Sequence, residues 1–212
     1  MKDDVPAQVG IAGQGTMRSR YKAQTRQLLA EAAVAEFEAS GYVQAKIEDI
    51  ARRAGTSRAT FYVHYSGKAE VMENMWDLVR RELVVLYRKL VATPVRDVAA
   101  LTAWLEETFA FYQSNRERLL AVHEAISVEA ELADAYAERL GGLAEMVAPL
   151  VRPELGATPE SARTRAAMLT IQHERVCFLW LLRGVPFERE EATRTLAALW
   201  FEQIGTSAAA TT

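Results

Sequence analysis

The stretch Thr25–Trp76 reads TRQLLAEAAVAEFEASGYVQAKIEDIARRAGTSRATFYVHYSGKAEVMENMW, and it decides the architecture. Leu29, Ala30, Ala33, Val34 and Phe37 fall on one face of a helix predicted from about Lys22 to Ser40. Gly41 follows where a helix C-terminus favours a residue free to adopt positive φ. A short second helix is predicted from Ile47 to Ala54, with Ile47, Ile50, Ala51 and Ala54 facing inward and Gly55 after it. A third runs from Arg58 to Tyr65, with Ser57 placed to cap its free N–H groups. Ser66-Gly67 breaks the chain, and a long helix is predicted from Lys68 to about Val91.

Two short helices joined by a Gly-containing turn, the second polar on its free face, describe a helix-turn-helix. Phe37, Ile47 and Ile50 are expected to bury against Phe61 and Tyr65, so that the third helix projects. With Phe61 inward, Ala59, Thr60, Tyr62 and Val63 point away from the core, and Arg58 sits at the N-terminal tip. A recognition helix presents its N-terminal residues to base edges in the major groove, which makes Arg58 and Ala59 the best-placed readers. Each also has a plain reading: an ordinary surface arginine, and an alanine that faces the groove and reads nothing.

These residues resemble the DNA-binding domain of the TetR (tetracycline-repressor-like) family. The resemblance lies in Phe37 with Gly41-Tyr42, in Ile47-Glu48-Asp49-Ile50-Ala51, in Ala54-Gly55-Thr56-Ser57, in Thr60-Phe61-Tyr62-Val63-His64-Tyr65, and in Lys68 opening the next helix. It covers about the first third of the chain. It implies that Ser57, Thr60, Tyr62 and His64 touch phosphate or sugar, that Lys68 reaches a phosphate, and that Arg58 and Ala59 meet base edges. The departure is at helix two: the family usually places Thr or Ser at the cap, and this chain has Ala45-Lys46. Lys46 can offer a phosphate a point charge, but a missing cap costs on the order of 1 kcal/mol.

Charge distribution agrees. The net charge of −3 hides a head from Thr16 to Lys68 with nine Lys/Arg against five Asp/Glu, and a body from 69 to 212 with 15 against 21. A positive head on an acidic body suits an anionic partner for the head alone. Half the residues are apolar, which excludes a wholly disordered chain. One cysteine, Cys177, excludes an intrachain disulfide framework. Met1–Gly15 has no apolar core of signal-peptide length, and the longest apolar run, Val176–Leu182, is far short of the roughly 20 residues of a membrane span. The expectation is a cytoplasmic protein without membrane contact.

Beyond the head nearly every segment has helical period. Pro94, Ser114-Asn115, Pro149 to Pro153, Gly156 to Pro159 and Gly184-Val185-Pro186 divide it into helices near 97–113, 116–127, 132–151, 160–183 and 188–204. The fold expected is all-α with about nine helices. It comprises a flexible arm (1–20), the helix-turn-helix domain (21–67), a helical ligand-binding and dimerisation domain (68–206) and a flexible tail (207–212).

Leu101, Trp104, Leu105, Thr108, Phe111 and Tyr112 share a face of the fifth helix. Such a stripe is ordinarily core, but in an all-helical sensor domain a pocket between helices is the expected site. The candidate wall is Trp104, Thr108 and Phe111 with Leu169, Thr170, Gln172, His173, Val176 and Trp180. His173-Glu174-x-x-Cys177 could be half of a zinc site, but no second ligand pair has suitable spacing, so no metal is expected. The run Val176–Leu182 is apolar all round, and Leu196, Ala197, Leu199, Trp200 and Ile204 line the last helix. Phe178, Leu182, Leu196, Trp200 and Ile204 are therefore expected in a homodimer interface. Gln172–Gly205 resembles the last two helices of TetR-family proteins, which form their dimer interface.

No nucleophile elbow, phosphate-cradling Gly loop or dinucleotide fingerprint is visible. The reading is a non-enzymatic repressor without cofactor, released from an inverted-repeat operator in double-stranded DNA by a mostly apolar small molecule. The alternatives are a helix-turn-helix protein with no effector and a helical enzyme assembled from distant residues.

Overall fold

The computed structural model describes residues 13–95, 97–156 and 158–205. Among them are nine α-helices and no strand: α1 (Gly13–Ser40), α2 (Ile47–Arg53), α3 (Arg58–His64), α4 (Lys68–Ala92), α5 (Val98–Ser114), α6 (Arg116–Val128), α7 (Ala130–Val147), α8 (Pro159–Cys177) and α9 (Arg189–Ile204). The all-α architecture expected from the sequence is the one observed.

In the head, Leu29, Ala33 and Phe37 of α1, Ile50 of α2 and Phe61 of α3 are almost completely buried, as the apolar periodicity requires. Gly55 takes φ of 67° in the turn between α2 and α3, a left-handed conformation that strains any residue with a Cβ. Arg26 ties α1 to the junction between α3 and α4. Its guanidinium lies 4.1 Å over the Tyr65 ring and 2.8 Å from Glu70, and its carbonyl accepts from the Tyr65 hydroxyl at 3.0 Å.

Helix α1 starts at Gly13, not at Lys22, so the expected arm over 1–20 is helical from 13 onward. Met17, Arg18, Arg20, Lys22 and Ala23 are good helix formers, but they are exposed on all sides, so no apolar stripe announces the helix. The earlier part of the arm, and the tail over 207–212, lie outside the described residues.

The body is a helical bundle in which α5 packs on α9, and α7 on α4, α6 and α8. Helix α7 ends in a 3-10 turn, Ala148–Leu150. Helix α8 carries on as a π-helical turn, Phe178–Leu182, in which Arg183 N–H donates to the Phe178 carbonyl at 3.0 Å. Head and body meet mainly through α4 and α6. The Tyr42 hydroxyl donates to Glu129 at 2.7 Å, the Val43 amide to Glu124 at 3.3 Å, and Arg118 to Glu38 at 2.8 Å. Gly41, at φ 78°, backs onto Glu124 so closely that a Cβ there would fall 2.6 Å from its carboxylate oxygen.

Candidate nucleic-acid interface and effector site

The third helix packs on α2 and buries one side chain completely, Phe61, so that its remaining face projects. Ser57 has extended backbone, and its hydroxyl accepts from the Thr60 amide at 3.1 Å, the cap that the sequence predicts. Thr60 returns a second contact, Oγ1 to Ser57 Oγ at 2.9 Å. Arg58, Ala59, Tyr62 and Val63 are exposed, Tyr62 by 47% and Val63 by 69%, which leaves apolar surface uncovered on the projecting face. Arg58 is held in an ion pair with Glu48 of α2, and its guanidinium stands 5.6 Å over the Tyr62 ring. His64 is half-buried, and its Nδ1 has no partner. Lys46 occupies the cap position of α2 with no side-chain hydrogen bond, and its side chain is exposed.

Lys68 departs from expectation. An ammonium group has three protons, and here they meet the carbonyls of Tyr42 at 2.7 Å, Ala45 at 3.1 Å and Val43 at 3.4 Å. The same Nζ lies 4.4 Å over the Tyr42 ring, and burial lowers its pKa from the ordinary lysine value. Lys68 therefore closes the α1–α2 corner onto the start of α4 and has no donor left for a phosphate.

In the body, the structure brings Trp104, Thr108 and His173 together. His173 is fully buried. The Thr108 hydroxyl donates to the Leu105 carbonyl at 2.8 Å, so its oxygen is free to accept from His173 Nε2–H at 2.9 Å, and Nδ1 then accepts from the Tyr87 hydroxyl at 3.2 Å. Burial drives the His173 pKa down to about 4, which keeps the ring neutral at neutral pH. The rings of Trp104 and Trp200 stand 5.1 and 5.8 Å from it. Thr170 is also fully buried there, and neither its hydroxyl nor the Trp200 indole N–H has a hydrogen-bond partner.

The other expected wall residues part company with this cluster. Phe111, Leu169 and Trp180 are buried, but Trp180 meets Phe109 edge-on at 5.1 Å. Gln172 and Val176 are half-buried on the outer face of α8, where with Phe187, Leu196 and Leu199 they line a groove of about 330 Å3 against α9. One step along a helix turns a side chain by 100°, so His173 and Gln172 cannot both face the core. The expected interface residues need a similar correction. Leu182, Leu196, Trp200 and Ile204 are each at most 4% exposed within a single chain, because the apolar stripe of α9 is taken up by α5. Only Phe178 remains half-exposed. The apolar surface offered outward is instead Met168, Ile171 and Leu179 of α8 and its π-helical turn, with Leu199 of α9.

Sequence reasoning passed over Tyr87, Tyr136 and His123, and took Glu174 only as part of a metal-like motif. Tyr87 and Glu174 do sit on apolar faces at helical spacing, a polar interruption that could have marked them. Among the described residues no group of three or more His, Cys, Asp or Glu could hold a metal ion, and no helix is long and apolar enough to cross a membrane. Cys177 is buried, and its thiol pKa is pushed well above the ordinary value by burial.

A capped, projecting α3 on a three-helix head, carried by a helical body with a buried polar cluster, is a helix-turn-helix arrangement joined to a separate helical unit. Residues 29–75 match the family described as bacterial regulatory proteins, tetR family. It is 42% identical over 50 residues to the uncharacterized HTH-type transcriptional regulator TtgW of Pseudomonas putida, a match covering 24% of this chain and 37% of that protein. The chain thus matches little more than a third of that relative's length. The multidrug binding protein EbrR, solved in complex with imidazole, shares the fold with a TM-score of 0.62 at 20% identity, over 87% of this chain and 97% of that one. FadR of Thermus thermophilus, a transcriptional repressor solved in complex with lauroyl-CoA, does so with a TM-score of 0.54 at 23% identity, over 88% and 98%.

Proposed function

We propose that this protein is a cytoplasmic, dimeric transcriptional regulator that binds an inverted-repeat operator through α3 and is released from it by a mostly apolar small molecule. The observation that carries this reading is the exposed, Ser57-capped face of α3, with Arg58 at its tip and Tyr62 and Val63 uncovered beside it. Arg58 leaves Glu48 to read a base edge, with Ala59 beside it. Ser57, Thr60, Tyr62, His64 and Lys46 hold phosphate or sugar, and Lys68 acts behind them by fixing the corner. A second copy covers the exposed face formed by Met168, Ile171, Leu179 and Leu199, and two equivalent heads then demand equivalent half-sites.

The effector is read by the cluster of Trp104, Thr108, Thr170 and His173 with Tyr87 and Trp200. Its unpartnered hydroxyl and indole N–H offer an apolar guest a few polar anchors, and apolar area is rewarded at about 25 cal/mol per Å2 buried. EbrR and FadR, each solved with a small molecule, support a ligand-binding body. The ligand acts by population shift: it binds better to a spacing of the two heads that does not fit the operator, and DNA weakens ligand binding by the same factor.

Selection of duplex sites from a random library tests this directly. The expected product is an inverted repeat, and Arg58→Ala should weaken its binding by about 1–3 kcal/mol while relaxing one base pair per half-site. A selected site without two-fold repetition, or a monomer by light scattering at micromolar concentration, refutes the dimeric reading. A melting scan with lipophilic compounds in which none stabilises the protein leaves a helix-turn-helix protein without effector.

A further inference from the structure

The residue beside His173 has no part in that reading. Glu174 is 5% exposed and, 100° further round α8, faces α6 and α7. Its Oε1 accepts from the Tyr136 hydroxyl at 2.8 Å and lies 3.2 Å from His123 Nε2. Its Oε2 is held only loosely. The nearest cation is Arg175, with Nε at 3.8 Å, too long for a hydrogen bond, and the Arg175 side chain is 52% exposed. The Arg175 guanidinium stands 5.2 Å over the ring of half-buried Phe178.

Aromatic rings continue from there without a break. His123 lies 3.7 Å from Phe178 and 5.6 Å from Tyr136, and Tyr136 lies 5.2 Å from Trp76, whose buried indole N–H has no acceptor. Burial pushes the Glu174 carboxyl pKa up, but the hydrogen bonds from His123 and Tyr136 and the Arg175 charge outweigh it and hold the group below the ordinary carboxylate value. The body thus keeps an ionised carboxylate among π faces, one oxygen saturated from inside and the other met only by a surface side chain.

A carboxylate beside aromatic faces has the chemistry of a cation site: the charge is neutralised, and the ring quadrupoles add attraction. We infer that Glu174 recognises the positive charge of an organic cation with a largely apolar body, which takes the place Arg175 now holds between Oε2 and Phe178. This rests on the body being an effector domain and narrows the effector to an apolar molecule carrying one positive charge. Arg175 reaches solvent, so its side chain can swing aside without unpacking α7 or α6, while Phe178 stays against His123 as the ring face. His123 sits on α6, and its neighbour Glu124 holds the Val43 amide of the head at 3.3 Å, so the site adjoins a contact between body and head.

Tetraphenylphosphonium and tetraphenylborate, ions of matched shape and opposite charge, are the probes. They are titrated into the full chain by calorimetry, alongside Glu174→Gln and Arg175→Ala. Tetraphenylphosphonium should bind wild type at least tenfold more tightly than tetraphenylborate and at least tenfold more tightly than it binds E174Q, in which the amide can keep the Tyr136 hydrogen bond. R175A, which loses the resident cation, should bind it more tightly than wild type. Equal binding of the two ions, an unchanged affinity in E174Q, or no gain in R175A overturns the cation site. Should E174Q fail to fold by circular dichroism, R175A and the ratio between the two ions decide. Neutral lipophiles that release the selected duplex where tetraphenylphosphonium does not bind would leave the effector reading standing and remove Glu174 from it. If no lipophile of any charge stabilises the protein or releases DNA, the effector reading falls and takes the cation site with it.

Discussion

Acidification should expose His173 as a liability of the body's core. In the folded chain this ring is fully buried, hydrogen-bonded by Tyr87 and Thr108, and stays neutral down to a pKa of about 4. In the unfolded chain it titrates near 6.5. A depressed histidine pKa means that the unfolded state binds the proton first, so stability is fully present above about 6.5 and is lost as pH falls toward 4. At pH 5 the unfolded histidine is almost wholly protonated and the native one only about a tenth so. The resulting penalty relative to pH 7 is about 2 kcal/mol, with a ceiling of roughly 3 kcal/mol below pH 4. Urea unfolding at pH 7 and pH 5, at fixed protein concentration because subunit association would add to stability, measures it. His173→Gln, which can still hydrogen-bond Thr108, should lose about 2 kcal/mol less than wild type over this interval, since every other ionisable group is the same in both proteins. Parallel losses in the two would refute the argument that burial sets this pKa.

Three other substitutions separate roles within the head. Glu48→Gln releases Arg58 from its exposed ion pair, and because water already screens such a pair, DNA affinity should rise only about two- to threefold in a gel-shift titration. Lys68→Ala removes charged hydrogen bonds to three carbonyls and should destabilise the chain by about 2 kcal/mol in urea. The slope of log affinity against log salt for DNA should not change, whereas a phosphate ligand would lower it by about one unit. Gly41→Ala forces a Cβ into the left-handed region and against Glu124, and should cost about 1–2 kcal/mol in melting experiments.

Where the sequence was legible, a repeating pattern carried the message. Phe61 and Ile50 interrupt polar stretches at the spacing that buries them, and Ser57 precedes a helix with no other plausible cap, so α2 and α3 could be placed within a residue of where they lie. The first turns of α1 could not be placed, because exposed Arg, Lys and Met hold a helix by propensity and leave no stripe. The π-helical turn at Phe178–Leu182 was equally silent: it packs on α5, and no local composition signals its hydrogen-bond register. Trp200 and Leu196, expected in a dimer interface, are already covered within the single chain; an apolar stripe does not reveal whether its cover comes from the same chain. His173 and Thr108 were legible as a pair of polar residues on apolar faces, whereas Glu174 was read only as part of a metal motif. Its partners, Tyr136 and His123, are 38 and 51 residues away in sequence, and only the assembled bundle brings them to it.

The contacts from α6 and its C-terminal flank to the α1–α2 corner also bear on building chimeras from this chain. A head grafted at Gly67 would bring its own corner but meet the Arg118, Glu124 and Glu129 of this body. Those three side chains grip Glu38, the Val43 amide and the Tyr42 hydroxyl respectively, so two of the three fastenings depend on side chains the incoming head must supply. A transplanted head with a base in place of Glu38, or a phenylalanine in place of Tyr42, would keep its own recognition helix and still hang loosely from the body. Beside the Lys68 and Glu70 contacts at the start of α4, interchangeability of heads on this scaffold therefore turns on two residues far from the exposed face of α3, and a graft designed on that helix alone would leave Arg118 and Glu129 without their partners.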